Sequence, residues 1–220
     1  MKDKLDQIVA ALSDKASLKQ SIYRSTRQVF SEMKAVAQAL AEELDARFAD
    51  IDEHVQIEYQ EVNEFEFHLR FSGDLLIFNM HSNVVTFNEE HLLSKNPYVA
   101  GDRRNGYFGH IMVYNFMADS LRYNRLNDPG YLLARMVLNR EGHFYIEGVR
   151  QLNFLYPDIA ENEISPELLR IFIESVMLTA IGQDLRAPNY QDIQMIRLGT
   201  KIKNQVTATA AKVGFQMVNS

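Results

Sequence analysis

Six histidines, two adjacent arginines in a glycine-bounded segment and a scatter of carboxylates are the groups of this 220-residue chain that could do chemistry. Arg103 and Arg104 lie within Gly101-Asp102-Arg103-Arg104-Asn105-Gly106. Glycines allow close backbone approach, and paired guanidinium groups can grip a phosphate or carboxylate, so the segment suits a small anion. It is neither a GxxxxGK[ST] phosphate loop nor a dinucleotide fingerprint, and a solvated loop with two arginines is the plainer account. His110 and His143 each follow a glycine, at the start of an expected strand. Placed beside Glu141 or Glu147, either imidazole would become an acid or base of near-neutral pKa; the plainer account is a partly buried ring bonded to backbone. Arg103, Arg104, His110 and His143 form the candidate ligand-binding set.

His81, Glu89, Glu90 and His91 have the residue types of a metal site. Their spacing differs from HExxH, and an extended chain from 81 to 91 would hold its ends roughly 25 Å or more apart. No metal and no cofactor is therefore expected. Asp119, Asp128, Glu141 and Glu147 surround the same sheet, where paired acids could do glycosidic or phosphoester chemistry; Asp128 is more simply a turn residue before Pro129 and Glu141 a hairpin residue before Gly142, and no GxSxG is present. The aromatic side chains from Tyr107 to Tyr145 could stack on a planar ligand but are more simply core.

These residues sit in, or next to, a stretch from Gly106 to Gly148 that reads as an antiparallel meander. Phe108 to Met117 and Tyr131 to Leu138 are apolar runs, and Asp128-Pro129-Gly130 and Asn139-Arg140-Glu141-Gly142 are turn signals before Phe144 and Ile146. Upstream, Val55, Ile57 and Tyr59 alternate with polar residues. Phe65, Phe67, Leu69 and Phe71 share one strand face while Glu66, His68 and Arg70 share the other. Ser72-Gly73-Asp74 turns into a strand from Leu75 to Met80, another strand is expected from Val84 to Phe87, and a last one from Gln151 to Tyr156. Residues 88–105 lose all periodicity and read as the longest loop, the first place to look for a site.

Two helical regions flank the sheet. Residues 3–51 carry a short stripe, Leu5, Ile8, Val9 and Leu12, and then, after a polar break at Ser13-Asp14-Lys15, a longer stripe of Ile22, Val29, Met33, Val36, Leu40, Leu44 and Phe48. The longer stripe must be buried against the sheet or against a second subunit. Ser165 and Pro166 mark the start of a helix whose body, Leu168 to Leu185, is apolar nearly all round and so reads as either central to the core or buried in a subunit interface. A further helix is expected from about Thr200 to Val213, with a final strand from Phe215 to Val218.

The fold class is therefore α+β: one domain spanning 1–220, with an antiparallel sheet of about six to eight strands over residues 55–156 flanked by N-terminal and C-terminal helices. Residues 1–51 form a helical region available for dimerisation. Hydrophobic residues at 46% and charged residues at 24% are ordinary for a globular domain. The net charge of −6 argues against nucleic acid as the main partner. The absence of cysteine excludes disulfides and thiol chemistry. No run approaches the ~20 apolar residues of a membrane span, and no leader pattern opens the chain, so the expected location is the cytoplasm.

With no catalytic motif, the functional expectation is a non-catalytic, homo-oligomeric module that binds a partner protein or a small ligand, including an anionic one, against the sheet. Two alternatives stand beside it. One is an enzyme for a small anionic substrate, with Arg103 or Arg104 as clamp and His110 or His143 as acid or base. The other is a structural oligomerisation scaffold.

Overall fold

The structure, a computed structural model, describes residues 3–52, 54–187, 189–195, 197–199 and 216–217. Its centre is a six-stranded antiparallel sheet in simple meander order: β1 (Ile57–Asn63), β2 (Glu66–Phe71), β3 (Asp74–Met80), β4 (Gly109–Met117), β5 (Tyr131–Leu138) and β6 (Phe144–Gly148). The fold class is α+β, as the change of period from 3.6 to 2 implies.

Alternation decides the faces. Phe67, Leu69 and Phe71 of β2, Leu76, Phe78 and Met80 of β3, Ile111 and Val113 of β4, and Met136 and Leu138 of β5 all enter one core. That inner face is covered by two helices, α2 (Ser17–Phe48) and α6 (Pro166–Ile181), which also pack on each other. Ile22, Phe30, Met33, Ala37 and Leu40 supply the buried stripe of α2, so its partners are the sheet and α6. Phe67 links the layers, its ring stacked on Phe78 at 4.5 Å and tilted against Phe30 at 5.4 Å. Outside the core, Arg170 of α6 donates to Glu43 of α2 at 2.7 Å.

Ser165 caps α6 by accepting from Leu168 N, with Pro166 at the first helical position. Its buried residues are Leu169, Phe172, Ile173, Val176, Met177 and Ala180, all on one side. Ile171, Leu178 and Ile181 remain exposed, so the helix is not wholly buried within its own chain despite its composition. It ends at Gly182, whose N–H bonds to Leu178 O, rather than at Ala187-Pro188.

Several other local expectations change. The polar residues Ser13-Asp14-Lys15 do not break the N-terminal region: α1 (Lys4–Ala11) runs through a π-helical turn over residues 12–16 into α2, because neither glycine nor proline interrupts helical dihedrals there. Val84 to Phe87 is not a strand, since β3 already pairs with β4 and leaves it only a bridge between Val85 and Phe108. Gln151 to Tyr156 is not a strand either. Arg150 takes a positive φ of 54° and diverts the chain into a 3₁₀ turn over Arg150–Phe154.

The segment 88–105 is locally built rather than a loop. Short helices α3 (Leu92–Lys95) and α4 (Pro97–Gly101) and a 3₁₀ turn over Arg103–Gly106 are capped by the side chains of His91, Asn96 and Asp102. Leu93 and Val99 then form a second apolar cluster with Phe108, Val137, Tyr145 and Ile159. Beyond α6, Leu185–Arg186 (β7) pairs with Gln216–Met217 (β8). The helix expected over 200–213 lies outside the described residues. No helix among the described residues is long and apolar enough to cross a membrane.

Candidate ligand site on the outer face of the sheet

The four residues singled out by sequence chemistry take separate roles. Arg103 is exposed, and Arg104 lies 3.1 Å from Asp14 of the π-helical turn. His143 places Nδ1 2.8 Å from Ile159 O, with its ring against Tyr98 at 4.9 Å and its Nε2 3.8 Å from Glu163. His110 is buried on β4, edge-on to His81 at 4.7 Å, and neither of its ring nitrogens has a hydrogen-bond partner among the described residues. Burial, reinforced by His81 and Arg135, pushes its pKa down to about 4, so at neutral pH the ring is uncharged. The nearby Arg140, not Arg103 or Arg104, organises the turn region. It donates to Asp102, Asn105 and Glu141, and the hydrogen bond from Tyr98 to Glu141 holds that carboxyl below its usual range.

His81, Glu89, Glu90 and His91 do not converge on a metal. His91 is hydrogen-bonded to Glu147, His81 lies against His110, and Glu89 and Glu90 are exposed. Among the described residues no group of three or more His, Asp or Glu side chains is arranged to hold an ion.

A different group does converge. The face of the sheet opposite the helices carries the polar members of each alternation, and register sets which of them meet. Glu58 of β1 stands opposite Arg70 of β2, and Gln60 opposite His68. On the other side of β2, Leu75 faces Arg70. Directly opposed side chains lie about 5 Å apart, so these five residues form two short rows across three strands. After β4 the chain turns into α5 (Ala118–Arg122), which hangs over the rows. Its start is fastened by Ala118 N to Gly73 O at 2.8 Å, and Ser120 bonds to Asp128 at 2.6 Å. Leu121 and Arg122 thereby complete an open cleft of about 270 Å³.

The chemistry of this cleft is cationic at one wall and apolar at another. Arg70 reaches Glu58 through one terminal nitrogen at 3.3 Å, while its Nε is buried without a partner among the described residues. His68 is 5% exposed. Its Nε2 lies 2.8 Å from Glu66 Oε1, and because a carboxylate only accepts, this nitrogen carries the proton and Nδ1 is left as an acceptor in the neutral ring. That Nδ1 is also buried without a partner among the described residues. Leaving such an atom unpaired costs about 1–3 kcal/mol, which sets these two side chains apart from the bonded polar groups around them. Leu75 is buried and Leu121 exposed, so the apolar wall continues from the sheet to solvent.

The sequence places Glu66, His68 and Arg70 on one strand face, but the pattern of a single strand does not distinguish a solvated face from a cleft wall. No family model, curated protein or solved structure matches the chain.

Proposed function

We propose that this protein is a non-catalytic binding module that receives a small anionic ligand against the outer face of its sheet, in the cleft beneath α5. The observation that carries the reading is Arg70, which lines the cleft and has a buried donor, Nε, without a partner among the described residues. Arg122 supplies a second, exposed guanidinium at the rim. The enzyme alternative draws less from the geometry, since Arg104 is engaged with Asp14 and His143 with the Ile159 carbonyl. The test is calorimetric titration of the whole chain with small carboxylates and phosphates. A binder that is lost on Arg122→Ala supports the reading; a panel in which no anion binds, or binding indifferent to both Arg70→Ala and Arg122→Ala, overturns it.

A second reading, self-association through the N-terminal helix, is favoured by one observation. Leu5, Ile8 and Val9 of α1 and Leu12 at the start of the π-helical turn are 54–64% exposed, and α1 buries no residue of its own. A second copy of the chain would offer the same stripe, so an isologous pairing buries both at once. Light scattering at tens of micromolar separates the cases: a dimer dispersed by Leu12→Asp supports this reading, and a strict monomer removes it.

A further inference from the structure

We infer that the cleft takes an organic monocarboxylate whose remainder is apolar, an inference that rests on the reading of the cleft as an anion site. Charge gives the first argument. Arg70 and Arg122 stand against one lining carboxylate, Glu58, which leaves a single net positive charge. A monoanion matches that balance. A phosphate dianion would carry its second charge next to Glu58, where like charges repel without compensation.

Geometry gives the second. Glu58 occupies one end of the Arg70 guanidinium, so the Nε edge is the remaining side of the fork. A carboxylate accepts two parallel N–H bonds from such an edge, and Arg70 lines the cleft with its side chain 28% exposed. The third argument is the wall. Leu75, Ala118 and Leu121 offer nothing to a hydrated ion but cover a short hydrocarbon chain or ring. The volume of about 270 Å³ lies just below the ~300–1,000 Å³ of sites for larger ligands, so the molecule is small.

Isothermal titration of the whole chain with hexanoate, methyl hexanoate and inorganic phosphate tests this, with Arg122→Ala and Leu121→Ser as variants at exposed positions. Hexanoate is expected to bind, the neutral ester and phosphate not, and each variant to weaken hexanoate by about tenfold or more, as loss of a charge-assisted bond or an apolar wall implies. Phosphate binding in place of hexanoate would sink the monocarboxylate assignment while leaving an anion site standing. Ester binding as tight as the acid would show an apolar slot and remove both. If none of the three binds, the anion site itself fails.

Discussion

His91 places its Nε2 2.6 Å from Oε1 of Glu147, a residue 56 positions further along the chain. The ring's other nitrogen accepts from Leu93 N at 3.2 Å, so the proton resides on Nε2 and the imidazole is a spacer between the cap of α3 and the sheet. Glu147 uses its second oxygen for Arg135 Nε at 2.8 Å, and Phe87 covers both partners, stacked on His91 at 4.0 Å and 4.9 Å from the Arg135 guanidinium. Glu147→Ala leaves two half-buried donors unsatisfied. The expected loss is about 1–3 kcal/mol in urea unfolding, with faster amide exchange over residues 92–101. Unchanged exchange would mean that Leu93 and Val99 alone hold the segment.

The sheet was legible because each strand's signal is local. Tyr131–Leu138 is the strand expected from its apolar run, and the Phe67, Leu69 and Phe71 alternation points into the core as its period requires. Segment 88–105 hides its helices for a local reason too. Asn96-Pro97 is the same cap-then-proline signal as Ser165-Pro166, but no long apolar run follows it to mark the helix it opens. The cleft was out of reach for a different reason. It needs the register that puts Glu58 opposite Arg70, and the overhang of α5 far along the chain, and neither leaves a trace in a single strand's pattern.

Gly109 opens β4 directly under α2. A Cβ built there would lie 2.0 Å from Thr26 Oγ1 and 2.9 Å from its Cβ, and Thr26 is itself buried and bonded to Ile22 O at 2.8 Å. Gly109→Ala therefore forces the helix away from the strand, with an expected cost of about 1–3 kcal/mol. Combining it with Thr26→Gly should recover part of that loss beyond the sum of the single effects. Strict additivity in a double-mutant cycle would show that the two sites do not touch.

His110 makes stability depend on pH. Its pKa of about 4 in the folded chain lies below the ordinary 6.5, so the unfolded chain binds the proton more readily. Its contribution is fully present above pH 6.5 and is lost progressively as pH falls toward 4, amounting to roughly 3 kcal/mol at most for a shift of this size. His110→Leu removes the titration along with two unpartnered nitrogens. Thermal unfolding of the variant should vary less between pH 6.5 and 4 than that of the parent, and parallel curves would show that His110 is not the titrating group.

Leu12 and Leu40 belong to two apolar stripes of one continuous helical region and should respond very differently to the same change. Leu40 is 2% exposed among the side chains joining α2 to the sheet, whereas Leu12 is 58% exposed. Leu40→Asp buries an unpaired charge, and a loss above about 4 kcal/mol is expected, close to the whole stability of a domain at the low end of the usual ~5–15 kcal/mol. Any change in assembly it causes is therefore confounded with unfolding of the subunit. Leu12→Asp changes little in the folded subunit, within about 0.5 kcal/mol, so any change it causes in molecular mass by light scattering belongs to contacts between copies. Equal destabilisation by the two substitutions would place Leu12 in the core and contradict the exposed arm.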